Sequence, residues 1–195
     1  MLDTHGRKYI QPVIEKVADV FERLGFTPNQ VTMIAFFLGV GSGGLLFAGW
    51  KTVAFLTLWL SGLLDAVDGT LARRTKSTSW GTVLDITFDR VVELSVIVAL
   101  AFRYPEATLY LLLLCGAIII SMTVFLTVGA VSENRGMKSF YYQAGLAERT
   151  EGFIMLSLMM LFSNFLIPLT LIFFAMVLYT AGQRLWEAKK ILDVK

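Results

Sequence analysis

From Tyr9 to Leu24, apolar residues return every three or four positions, at Ile10, Val13, Ile14, Val17, Val20, Phe21 and Leu24. Lys8, Glu15, Lys16, Asp19, Glu22 and Arg23 fill the positions between them. A period near 3.6 predicts an amphipathic helix with one apolar and one charged face. The chain offers no soluble region against which that apolar face would pack. The helix is therefore expected in the membrane–water interface, within an N-terminal segment spanning residues 1–26. Gly25 marks its end, and Thr27-Pro28-Asn29 reads as a turn that opens the next helix.

Past residue 30 the two-faced pattern gives way to long uncharged runs. Val31–Trp50 holds no charge over 20 residues, Ala107–Ser132 none over 26, and Gly152–Gln183 none over 32. A bilayer crossing takes roughly 20 apolar residues, so these runs require several crossings. Six spanning helices are predicted, at about 30–49, 52–74, 80–103, 107–131, 146–163 and 165–187. The longest run is divided at Ser163-Asn164, because one helix of that length would extend about 48 Å. Pro168 then falls in the first turn of the sixth helix, where a missing N–H is tolerated. The expected fold class is all-α: an integral membrane bundle of six helices over 30–187, preceded by the interfacial helix. The 195 residues are read as one domain.

Composition agrees with that pattern: 56% of residues are hydrophobic, 16% are charged, and the mean hydropathy is +0.68. The distribution of cations adds an orientation. With the N-terminus inside, 15 of the 17 Lys and Arg residues fall on the cytoplasmic side, leaving only Lys51 and Arg103 outside. This positive-inside bias places both termini in the cytoplasm. No cleavable signal peptide is apparent, and the setting is read as a prokaryotic plasma membrane. The single cysteine, Cys115, and the single histidine, His5, give no support to disulfide, zinc or haem chemistry. Nothing in the chain points to nucleic acid.

Four aspartates interrupt the apolar helices. Asp65 and Asp68 lie near the end of the second, Asp85 and Asp89 near the start of the third. Spacings of i,i+3 and i,i+4 put each pair on one helix face. The short connection between the helices brings the pairs to similar depth, near the cytoplasmic side. An acid at the centre of a spanning helix costs about 2.5–3.5 kcal/mol on insertion scales, so four together require compensation. Three readings meet that requirement. One is a set of ion pairs with Arg73, Arg74 and Arg90; another is a proton- or cation-coupled transport path. The third is a site for hard divalent cations, with two metals clamping a phosphate. Gly69, Ala72 and Gly81 beside the acids favour the third, since small residues let a bulky ligand reach the backbone.

Asp65-Ala-Val-Asp68-Gly69-Thr-Leu-Ala72-Arg73, seven residues, then Gly81-Thr-Val-Leu-Asp85-Ile-Thr-Phe-Asp89 resembles the signature of the CDP-alcohol phosphotransferases at every defined position. The motif covers 25 residues, and the six-span layout with its leading helix is similar to the family over the whole chain. The resemblance implies that Asp65, Asp68, Asp85 and Asp89 hold two divalent cations, Mg²⁺ or Mn²⁺. It implies that Asp89 is also the general base on the acceptor hydroxyl. Asp68, Gly69, Ala72, Arg73 and Gly81 would surround the cytidine diphosphate of a CDP-linked lipid. Pro28-Asn29-Gln-Val-Thr32 resembles the family's element opening the first span, where Asn29 and Thr32 would orient the nucleotide. From the residues alone, helix capping explains Asn29 and Thr32 equally well. Glu93, one turn beyond Asp89, is read either as a support of the site or as an ordinary buried acid. The resemblance also implies a homodimer, and the predicted spans with their cation bias put the active site on the cytoplasmic side.

The resemblance implies a polar alcohol as acceptor, and cations suggest where its phosphate would bind: Arg135, Lys138, Arg149 and Arg184. Gly145-Leu-Ala-Glu148-Arg149-Thr-Glu151 and the pair Gln183-Arg184 resemble segments of the phosphatidylinositol-phosphate and archaetidylinositol-phosphate synthases. That resemblance implies inositol phosphate as acceptor, with glycerol 3-phosphate, as in phosphatidylglycerophosphate synthases, the alternative.

Overall fold

A computed structural model of the chain describes residues 2–131 and 145–192, and all regular elements among them are helical. They are α1 (Leu2–Arg23), α2 (Pro28–Phe47), α3 (Lys51–Arg74), α4 (Ser79–Arg103), α5 (Thr108–Val131), α6 (Arg149–Leu161) and α7 (Leu166–Leu192). Short 3₁₀ turns, Pro105–Ala107 and Ser163–Phe165, lead into α5 and α7.

Four segments are long and apolar enough to cross a bilayer: Pro28–Phe47, Lys51–Arg74, Pro105–Val131 and Ser163–Leu192. Phe37, Leu56, Leu112, Ile119 and Ile172 on these segments are each more than half exposed. Water would not tolerate so much outward apolar surface, whereas hydrocarbon accepts it, and the helices satisfy their backbone groups internally. The chain is an integral membrane protein. Helix α4 has the length of a span but carries Asp85, Asp89, Arg90 and Glu93 along it. Helix α6 covers 13 residues, about 20 Å, where the sequence pattern places a span over 146–163.

The chain divides into two compact units. The first is Thr4–Pro105, in which α2 packs along both α3 and α4. Small residues make these seams close. Gly39 faces Val92 and Ser61, and a Cβ at Gly43 would stand 2.7 Å from the Ser95 carbonyl oxygen. Buried hydroxyls tie α2 to α3: Ser61 donates to the Ala35 carbonyl and Ser42 to the Ala54 carbonyl, each at 2.7 Å. Helix α1 buries Ile14 and Ala18 against Val31, Ala35, Leu64, Val67 and Leu71. Ile10, Val13, Val20 and Leu24 stay exposed on an adjacent stripe. Arg74, closing α3, pairs with Asp19 at 2.6 Å and Glu22 at 3.3 Å.

The α1–α2 and α2–α3 turns each use a left-handed glycine. Gly25 has φ +77°, and the Phe26 N–H reaches back to the Phe21 carbonyl at 3.0 Å while the two rings meet edge to face. Gly49 repeats the motif at φ +98°, with the Trp50 N–H on the Leu45 carbonyl at 3.0 Å. The second unit begins at Glu106, and in it α7 packs along α5 and α6.

Candidate active site

Asp65 and Asp68 lie buried on α3, one turn apart, and Asp85 is half-buried on α4. One carboxylate oxygen from each lies within 4.8 Å of the others. Because α2 packs on both helices, its seams bring the two acidic faces together. Asp68 Oδ2 is buried and has no hydrogen-bond partner among the described residues. A charged oxygen left so is costly, and a cation is the natural partner. Three converging carboxylates form an all-oxygen donor set, which suits Mg²⁺ or Mn²⁺ rather than a soft metal. The residues present therefore fit a divalent ion. Asp89, one turn past Asp85, lies outside that trio but interacts electrostatically with Asp85 and Asp68, and also with Arg90 and Glu93.

The start of α2 adds a second wall. Pro28 occupies the first helical turn, and the Thr27 N–H donates to the Gln30 side chain at 2.9 Å. Capping is thus done by Thr27 and Gln30, not by Asn29 and Thr32. The Thr32 hydroxyl donates to the Pro28 carbonyl at 3.0 Å and is within hydrogen-bonding reach of Asp68. Asn29 Oδ1 faces the start of α4: a Cβ at Gly81 would sit 3.3 Å from it and 3.2 Å from Thr78 Oγ1. Thr78 caps α4 by accepting from the Gly81 N–H at 3.0 Å. On α3, the Arg73 guanidinium lies over Gly69 and donates to Thr70 Oγ1 at 2.8 Å. Half-buried Ala72 precedes it. Residues far apart in the chain thus meet here: Asn29 faces Gly81, and Thr32 reaches Asp68.

An open groove of about 510 Å³ adjoins Asn29, lined by Phe26, Gln30, Met33, Ile34, Trp80 and Leu84. Sequence reasoning missed it. Its apolar residues carry no signal that separates them from any lipid-facing position.

In the second unit, Arg184 is buried on α7, with Nη1 3.3 Å from Ser121 Oγ and the guanidinium 4.8 Å over the Phe125 ring. Arg149 opens α6 and lies 5.7 Å over Phe153, flanked in sequence by the buried acids Glu148 and Glu151. The approach to α6 is held on α7: the Ala147 N–H donates to Thr180 at 2.8 Å and the Leu146 N–H to Gln183 at 3.2 Å. Arg135 and Lys138 lie outside the described residues.

A sequence profile described as CDP-alcohol phosphatidyltransferase matches residues 26–185. The chain belongs to the CDP-alcohol phosphatidyltransferase family. Membership decides between the readings left open by the aspartates: the protein is a membrane transferase of phospholipid synthesis, not a transporter. Members of the family use a CDP-linked donor, an alcohol acceptor and divalent cations. Escherichia coli (strain K12) inner membrane protein YnjF is 34% identical, over 96% of this chain and 95% of its own. Archaetidylinositol phosphate synthase of Pyrococcus horikoshii is 30% identical over the full length of both. Among solved structures, Mycobacterium tuberculosis phosphatidylinositol phosphate synthase with CDP-DAG bound shares the fold. It superposes with a TM-score of 0.75 at 23% identity, over 91% of this chain and 94% of that one. The same enzyme has been solved with manganese and citrate.

Proposed function

We propose that the chain transfers a phosphatidyl-type group from a CDP-linked lipid to inositol phosphate, releasing CMP. The convergence of Asp65, Asp68 and Asp85 within 4.8 Å carries this reading, supported by Thr32 at Asp68 and by Asn29 facing Gly81. Inositol phosphate is favoured as acceptor because a relative named archaetidylinositol phosphate synthase aligns over the entire chain.

Asp65, Asp68, Asp85 and Asp89 are assigned to two divalent ions. Bound there, such ions would draw charge from the diphosphate oxygens and the departing CMP. Asn29 and Thr32 orient the nucleotide, while Gly69, Ala72 and Gly81 keep the backbone open to it and Arg73 supplies positive charge. The groove beside Asn29 receives hydrocarbon from the donor, so the reacting phosphate and the acyl chain are held together. Asp89 takes the proton of the acceptor hydroxyl as its oxygen bonds to the phosphorus nearer the lipid. The phosphorus–oxygen bond to CMP breaks, and CMP leaves with the electron pair. Arg149 and Arg184, with Arg135 and Lys138, are assigned to the acceptor's phosphate.

In the membrane, α4 and α6 complete six spans and α1 lies in the interface, within a single domain. The bias of cations supports a cytoplasmic location for both termini and the site.

The test is CMP release by purified protein in detergent with CDP-diacylglycerol and Mg²⁺. Inositol phosphate, glycerol 3-phosphate, serine and free inositol are offered in turn, with Asp89→Asn as control. Release with inositol phosphate alone is expected. Release only with glycerol 3-phosphate would replace the acceptor, and no release with any would refute the donor assignment.

A further inference from the structure

Arg90 follows Asp89 on α4, and its guanidinium acts on Asp85 and Asp89, which the proposed function assigns to metal. A guanidinium is a planar fork matched to carboxylates. Left to itself, it would settle on the metal-binding acids and occupy the oxygens a cation needs. Arg90 does not do so. Its Nη1 lies 2.6 Å from Glu93 Oε2, one turn further along α4. Glu93 is almost fully buried, and Arg90 is two-thirds buried, so water screens the pair weakly. Asp85, Asp89 and Glu93 follow at i, i+4 and i+8, so the acid that holds Arg90 continues the row of acids on which the cation acts.

We infer that Glu93 is a positioning residue that keeps Arg90 off the metal-binding aspartates, so that its charge tempers their repulsion without competing for their oxygens. This role rests on the metal-site reading above. An ion pair that merely neutralises two buried charges would support the fold and leave metal affinity unchanged.

The experiment is Mn²⁺ binding to the purified full chain in detergent, without substrate, followed by the electron paramagnetic resonance signal of free Mn²⁺. Binding by the wild type that Asp85→Asn abolishes is expected, and its absence would overturn the metal site itself. With that site in place, Glu93→Gln is expected to weaken Mn²⁺ binding about tenfold, as loss of groups that orient metal ligands commonly does. Adding Arg90→Met to Glu93→Gln removes the competing cation and is expected to restore most of that loss. Arg90→Met alone is expected to bind at least as tightly as the wild type. It keeps the inference open to refutation where Glu93→Gln, which strands a buried cation, does not fold. Unchanged affinity in Glu93→Gln, equal weakness in the single and double variants, or weaker binding in Arg90→Met would each overturn the inference.

Discussion

Three glycines of α2 lie within four residues of one another, yet their surroundings differ completely. Nothing lies within 4 Å of a Cβ built at Gly41 or Gly44. A Cβ at Gly43 would stand 2.7 Å from the Ser95 carbonyl oxygen and 2.8 Å from its carbon. Both atoms belong to the backbone of α4, so no rotamer relieves the contact. Ordinary van der Waals contact begins at 3.4 Å, so Gly43→Ala must part the α2 and α4 backbones locally by about 0.7 Å. Overpacking of that kind costs about 1–3 kcal/mol. For a chain of this length it lowers the unfolding midpoint by about 2–4 °C per kcal/mol.

The consequence extends to catalysis, because Ser95 sits six residues beyond Asp89 on the same rigid helix, about 9 Å along its axis. A shift of α4 moves Asp85 and Asp89 relative to Asp65 and Asp68. Misplacement by an ångström can cost about 10²-fold in rate, so a loss of at least about tenfold in kcat is expected. Thermal unfolding in detergent and CMP release, measured on Gly41→Ala, Gly43→Ala and Gly44→Ala in parallel, provide the assay. The outer two variants should match the wild type or gain slightly, since alanine favours helix over glycine. If all three behaved alike, the close α2–α4 seam would not be what sets the site.

Further outcomes follow from the site. Asp89→Asn should lower CMP release by about 10²–10⁴-fold, the usual contribution of a general base, while CDP binding persists; lost CDP binding would make Asp89 a binding residue. Gly81→Val pushes bulk toward Asn29 Oδ1 and Thr78 Oγ1, so the donor KM should rise with little change in the acceptor KM. Arg184→Met keeps the packing against Phe125 but removes the fork, so the acceptor KM should rise at least about tenfold with the donor KM unchanged. EDTA should abolish activity, and Mn²⁺ or Mg²⁺ but not Ca²⁺ should restore it, because Ca²⁺ favours longer bonds and more ligands. Activity unaffected by chelation would contradict the role given to the aspartates.

Membrane residence, helical class and the acidic motif could be read from the chain alone, for a physical reason. A bilayer constrains length and polarity residue by residue, and the i,i+3 and i,i+4 spacings of Asp65, Asp68, Asp85 and Asp89 fix a common face for any helix that carries them. Turn chemistry was equally local: Gly25 ends α1 because only a residue tolerant of positive φ completes that cap. The tertiary structure decided which distant residues meet. No periodicity could say that Asn29 faces Gly81, that Thr32 reaches Asp68, or that Gly43 and not Gly41 touches α4. In a chain where most residues are apolar, outward and inward faces look alike in sequence, since lipid and protein interior favour the same side chains. The groove walls of Phe26, Met33, Ile34, Trp80 and Leu84 were invisible for that reason. Arg90 illustrates the division most clearly. Its spacing permits pairing with Glu93, but its sequence neighbour Asp89 offers a competing partner, and only packing selects between them.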